Sequence, residues 1–214
     1  MLSRREMLQQ SAYAVGAMIT NSSFTFSDKK ILIGACDWSL GYADNPKAFE
    51  IARQIGLPGI LVNLGNKENN FHLRDKSMQQ TMLNAAKRTG VKISSLAIAE
   101  LNRIPFKSDP LAEELVWDSI DVAKALGVSV ILTAFFEKGD LRNDSAGVKE
   151  TINRFKKIAS KAEKAGVILG IESYLNADEH KHIIDAVGSP NIKVYYDFRN
   201  TADAGFDTVA EFKK

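Results

Sequence analysis

Four times along the chain a helical stretch closes on a glycine and a strand begins at once. Gln54-Ile55-Gly56 precedes a strand over 59–63, Arg88-Thr89-Gly90 one over 91–97, Ala125-Leu126-Gly127 one over 128–133, and Lys164-Ala165-Gly166 one over 167–172. Glycine leaves a helix in the left-handed conformation without a Cβ penalty, so each marks a helix end. The four glycines are spaced 34, 37 and 39 residues apart, the length of one strand plus one helix with their connections. Strict strand–helix alternation confines the chain to a parallel sheet covered by helices.

Taken in order, short apolar runs predict strands at about 31–36, 59–63, 92–97, 128–134, 168–172 and 192–196, each followed by a helix, the last helix beginning at Thr208. Asn45-Pro46 and Asp109-Pro110 each set a capping side chain before a proline suited to the first helical position, and Asn176-x-x-Glu179 has the form of a capping box. Two folds accept this pattern. One is a (β/α)8 TIM barrel, of which six βα units are present. It calls for eight units in about 250 residues, so the chain reads as lacking roughly two units at its C-terminal side. The other is a doubly wound sheet, against which Gly34-Ala35-Cys36-Asp37-Trp38 after the first strand fails to match a phosphate-binding G-x-G-x-x-G.

Two of the strands, 167–171 and 192–196, run directly into a carboxylate, Glu172 and Asp197. In such folds ligands gather at the carboxyl ends of the strands, where a pair of acids from neighbouring strands can hold a cation or move a proton. Other polar and aromatic residues fall at the same rim: Asp37 and Trp38 after the first strand, Asn63 after the second, Glu100 and Asn102 after the third, Phe135, Phe136 and Glu137 after the fourth. Each alone is an ordinary turn or packing residue; collected on one rim they outline a small-molecule pocket.

Composition restricts the partners. The 28 Lys and Arg against 26 Asp and Glu give a net charge of +2, and the basic residues are scattered, so nothing favours nucleic acid. A single cysteine, Cys36, excludes an internal disulfide and a cysteine-rich metal site. The first ~28 residues read as a targeting segment, with the barrel domain over 29–214. Ser3-Arg4-Arg5-Glu6-Met7-Leu8 resembles a twin-arginine export signal, followed by a weakly apolar stretch over 12–19 too short to span a bilayer. The expected setting is therefore periplasmic, with the cytoplasm as the alternative should the arginine pair be incidental.

Several runs then carry a family resemblance: Ser95-Leu96-Ala97-Ile98 with Leu101-Asn102, the helix from Val116-Trp117-Asp118 to Ala125-Leu126-Gly127, Gly170-Ile171-Glu172, and Val194-Tyr195-Tyr196-Asp197-Phe198-Arg199-Asn200. Over about residues 30–214 the chain resembles the sugar phosphate isomerase/epimerase family of xylose isomerase-like TIM barrels. The resemblance implies a divalent metal held by Glu, Asp, His and Glu from the last four strands, with Glu172 as first ligand and Asp197 as second. The other two would lie beyond Lys214, so the chain as given is expected to be inactive. Related ketose epimerases carry a substrate-contacting His three residues after the Asp, where this chain has Asn200.

The chemistry implied is proton transfer next to a carbonyl, with Glu172 as metal ligand and base, and Trp38, Glu100, Asn102 and Asn200 as candidates for substrate hydroxyls. Oxygen ligands favour Mn²⁺, Mg²⁺ or Co²⁺, and Zn²⁺ becomes possible with one His. His72, in a loop, and His180 and His182, in the helix after the fifth strand, are expected to be solvated or structural. The expected partner is a small carbohydrate, with no nucleic acid, no stable membrane span and a possible homo-oligomer. A non-catalytic exported sugar-binding barrel and an endonuclease IV-like phosphodiesterase are the alternatives, the latter disfavoured by charge and by three poorly placed histidines.

Overall fold

Six parallel strands pair in chain order: β1 Ala35–Cys36, β2 Gly59–Asn63, β3 Lys92–Ile98, β4 Val130–Phe135, β5 Ile168–Ser173 and β6 Ile192–Val194. A doubly wound sheet reverses direction beside its first strand, whereas here every strand lies next to its successor, which is the winding of a TIM barrel. The computed structural model describes residues 32–214. The twin-arginine stretch and its linker lie outside the described residues. Among the described residues no helix is long and apolar enough to cross a membrane.

The helices are α1 Lys47–Gln54, α2 Lys76–Thr89, α3 Pro110–Leu126, α4 Ser145–Ala165, α5 Ala177–Val187, α6 Phe198–Asp203 and α7 Thr208–Lys213. Their ends follow the sequence signals. Gly90, Gly127 and Gly166 close α2, α3 and α4 at φ of 74°, 71° and 66°. Asp109 accepts the Leu111 N–H at 2.9 Å, and at α5 Asn176 and Glu179 each accept the other's backbone N–H, at 2.9 and 2.8 Å. At α1 the helix starts one residue after Pro46, and Asn45 Oδ1 accepts from Lys47 N instead.

The sheet departs from expectation at its two edges. β1 is two residues long and β6 stops at Val194 rather than Tyr196, because each pairs with one neighbour only. Tyr195 N still donates to Ile171 O at 2.9 Å, so the ladder runs one bond past β6 before the chain turns into α6, a helix the sequence pattern had not announced.

Side-chain alternation along the strands builds two apolar layers. The larger lies between sheet and helices and contains Phe106, Phe135 and Phe155, fully buried with ring centroids 4.8 to 6.2 Å apart. Burying each such side chain is worth roughly 1.5–3 kcal/mol. Phe135 therefore belongs to this core and not to the rim where the sequence had placed it. The smaller layer fills the inside of the curved sheet: Leu61, Ala97, Leu132 and Ala134, with Cys36, Phe136 and Tyr195 packed on it.

Candidate active site

Glu172 is the penultimate residue of β5, paired in register with Ala134 of β4. Ala134 belongs to the inner layer, which places the Glu172 carboxylate on the inside of the sheet near its carboxyl edge. Asp197 is not at a strand tip. It is the N-cap of α6, three residues past β6, its Oδ1 accepting the Asn200 N–H at 2.8 Å. Capping and ligation do not compete here, since a carboxylate has lone pairs for both. The same short helix turns Asn200 inward, and its Nδ2 donates to Glu172 Oε1 at 3.3 Å. Glu172, Asp197 and Asn200 are thus brought together across 28 residues of chain.

The electrostatics of the pair are those of two acids confined together. Burial, and secondarily the nearby Asp197 charge, push the Glu172 carboxyl up to about 7. Cys36 at the end of β1 faces the same field: burial first, then Asp37 and Glu172, push its thiol up to about 11, so it stays protonated at neutral pH. Tyr195 lies beneath. Gly170 leaves its ring room to cross the interior, since a Cβ on Gly170 would sit 3.0 and 3.1 Å from Tyr195 Cβ and Cδ2. Its hydroxyl comes beside Ser95 of β3. The sequence signalled neither Cys36 nor Tyr195 as a site residue; the only cue to Tyr195 was a glycine in mid-strand, which marks a close approach by another group.

The other candidates are dispersed. Trp38 sits in a 3-10 turn after β1, 39% exposed. Glu100 is 6% exposed, and burial raises its carboxyl; the charges around it are Arg103, Glu68, Lys67 and Asp44 rather than the Glu172–Asp197 pair. Asn102 Oδ1 accepts the Phe136 N–H at 3.0 Å, which ties the β3 and β4 loops together. Of the histidines, His180 is buried, its Nε2 2.9 Å from Ser173 Oγ and its Nδ1 2.9 Å from Asn176 O, a structural brace of the β5–α5 connection. His182 is exposed on α5. His72 follows β2 in a 3-10 turn, away from any ligand set.

Hard carboxylate oxygens suit a divalent cation, and a positive charge here would offset the burial and the Asp197 charge that oppose ionisation of Glu172. Among the described residues no group of three or more His, Cys, Asp or Glu is placed to hold a metal.

A family model described as xylose isomerase-like TIM barrel matches residues 49–214. A 2-epi-5-epi-valiolone 7-phosphate 2-epimerase of Actinoplanes sp. is 24% identical over 176 residues, 82% of this chain; the chain spans 64% of that relative's length. Among solved structures, a D-psicose 3-epimerase in the presence of D-fructose superposes with a TM-score of 0.69 at 14% identity, covering 86% of this chain and 69% of that one. A xylose isomerase-like TIM barrel protein from Mycobacterium smegmatis in complex with magnesium gives 0.63 at 16% identity, over 80% and 66%. Those two likenesses speak for the fold.

Proposed function

The chain belongs to the xylose isomerase-like TIM-barrel family, and from that premise we propose that the intact protein is a sugar or sugar phosphate isomerase/epimerase, which moves a proton next to a carbonyl. The observation that carries this reading is the Glu172–Asp197 pair with Asn200, converging on the inside of the sheet at its carboxyl edge. The sugar phosphate epimerase among its relatives supports the reaction class. Glu172 and Asp197 would hold a divalent cation, Mn²⁺, Mg²⁺ or Co²⁺ by their oxygen donors and Zn²⁺ if an imidazole joins them. When bound, such a cation supplies a positive charge against the negative charge that develops on a carbonyl oxygen as the neighbouring proton leaves.

The chain's own groups then have distinct tasks. Glu172, held on a strand, takes the proton from carbon and returns it; Asn200 fixes the carboxylate by its amide donor. Asp197 is held in one orientation by the α6 N-terminus. The apolar layer of Leu61, Leu132, Ala134 and Tyr195 keeps water from the far side of the pair.

The test, made on the full-length protein, is uptake of deuterium from D₂O into ketoses and their phosphates with added Mn²⁺, together with calorimetric titration of Mn²⁺ alone. Glu172→Gln should cut exchange by roughly 10²–10⁴-fold. Asp197→Asn should weaken Mn²⁺ by roughly 10–100-fold and leave exchange measurable at saturating metal. Exchange indifferent to chelator, or Mn²⁺ binding that survives both substitutions, would remove the assignment. The competing reading is a sugar-binding barrel without chemistry; sugar binding in the absence of any exchange would establish it.

We further propose that Arg4-Arg5 directs export of the protein by the twin-arginine route. Replacing both by Lys should retain the protein in the cytoplasm, because the receptor reads the arginine pair itself. Unaltered delivery to the periplasm would rule this out.

A further inference from the structure

We infer that His180 and Ser173 are positioning residues for Glu172, fixing the carboxyl end of β5 from the helix side so that the acid on its inner side keeps one direction. The inference rests on the isomerase/epimerase reading for the task of Glu172, though not for the hold on the strand end. Glu172 needs such a hold. On the β6 side the ladder ends where Tyr195 N donates to Ile171 O, so among the described residues Glu172 and Ser173 keep β4 alone as a neighbour, through Ala134 and Phe135. The carboxylate itself accepts one hydrogen bond among the described residues, from Asn200 Nδ2 at 3.3 Å, longer than is usual for N–H···O. Burial and the Asp197 charge meanwhile work against its ionised form.

The hold comes from the opposite face. Ser173 is in register with Phe135 of the helix-facing core, so its side chain leaves the strand away from that of Glu172. There it meets His180 of α5, the two residues being 7% and 6% exposed. The direction of each hydrogen bond is forced. Asn176 O can only accept, so His180 Nδ1, 2.9 Å away, carries the ring proton. Burial holds this imidazole below its ordinary range, against the Asn176 carbonyl and the Glu179 and Glu211 charges, so the ring is neutral and Nε2 offers a lone pair. Ser173 Oγ, 2.9 Å from Nε2, therefore donates to it, and accepts the Leu175 N–H at 3.1 Å.

The hydrogen-bond chain thus runs from Leu175 N–H through the Ser173 hydroxyl and the His180 ring to the carbonyl of Asn176, the residue that caps α5. Strand end and helix start are locked to each other. Neither side chain reaches the inner face, so the Ser–His pair orients its neighbour and is not itself a nucleophile and base. A shift of about 1 Å at a reacting group can cost about 10²-fold in rate, so loss of the lock should register in the chemistry more than in substrate binding.

The test uses the full-length protein. In the metal-free parent at neutral pH the ¹⁵N spectrum of His180 should show a protonated Nδ1 and a bare Nε2. Ser173→Ala removes one oxygen and breaks the hydrogen-bond chain. It should speed amide hydrogen exchange over Glu172–Leu175 by roughly tenfold or more. At saturating Mn²⁺ it should lower kcat for deuterium uptake by roughly 10–100-fold, the scale for losing the outer support of a metal ligand, with the ketose KM unchanged. His180→Phe should cost the same, and the double variant no more than either single one. An unchanged kcat with a lowered melting temperature would make the pair merely structural; a proton on Nε2 in the parent, or losses that add in the double variant, would also overturn the inference. The ¹⁵N result is read on the parent and stands even if a variant does not fold. The two readings fail separately. A parent without deuterium uptake removes the isomerase, while the tautomer and amide exchange still decide the hold on the strand end; uptake that neither substitution lowers keeps the isomerase and removes His180 and Ser173 from its machinery.

Discussion

Asp37 is fully buried at the end of β1, and its two oxygens are treated unequally. Oδ2 accepts the N–H groups of Asp44 at 3.1 Å and Asn63 at 3.2 Å, while Oδ1 has no partner among the described residues. Burial dominates and pushes this carboxyl up to about 6. In the unfolded chain it ionises near ~4. The stability that the protonated form contributes is therefore complete below about pH 4 and is lost as pH rises through about 6, by up to about 3 kcal/mol. Asp37→Asn keeps an acceptor for both N–H groups and removes the charge. It should raise stability at pH 8 relative to the parent and flatten the difference between pH 4 and 7, measured by urea unfolding across that range. Parallel pH curves for the two proteins would show that the carboxyl is ionised in the fold at no cost.

At the scale of elements, the β5–β6 pairing depends on a residue that has no side chain. Gly170 in β5 admits the Tyr195 ring over its Cα, and a methyl there would press on Tyr195 Cβ and Cδ2 at 3.0 and 3.1 Å. Neither contact is with the far end of a flexible chain, so Gly170→Ala should destabilise by roughly 1–3 kcal/mol. A compensating Tyr195→Val, which removes the ring, should recover part of that loss, a coupling read from a double-mutant cycle of melting curves. Strict additivity would show that the two positions do not meet. Helix ends respond differently: Gly166 stands at φ 66° with open space around it, so Gly166→Ala should cost roughly 1–2 kcal/mol from backbone strain alone.

For the molecule as a whole, apolar surface gathers beyond β6. Phe198, Val209 and Phe212 are 53%, 55% and 62% exposed, and Tyr196, Phe198 and Phe212 stack on one another at 4.9 to 5.5 Å. Exposed aromatic clusters of this kind drive association. The 214-residue chain should self-associate with concentration, and Phe212→Glu should shift sedimentation-velocity profiles toward smaller species. A chain that stays monomeric at high concentration with Phe212 intact would exclude that surface as the cause.

The sequence by itself determined the order of the six strands and of every helix but α6, because that order rests on local chemistry. Glycines at left-handed helix ends, the Asp109 cap and the Asn176–Glu179 box act within a few residues, and each stands in the structure where its pattern put it. Glu172 and Asp197 could be picked out as the central pair for the same reason, since each follows an apolar strand run. Tertiary structure alone decided what those residues meet. The choice of barrel over doubly wound sheet came from which strand lies beside which, a pairing of residues 23 to 38 positions apart by subtraction. Asp197 proved to be a helix cap because β6, an edge strand with one partner, ends early and leaves room for α6. Phe135 and Phe136 are adjacent and chemically identical, yet strand alternation sends one into the helix-facing core and the other onto the inner layer beside Tyr174. Faces, neighbours and burial are properties of the packed sheet, and no local pattern in the chain encodes them.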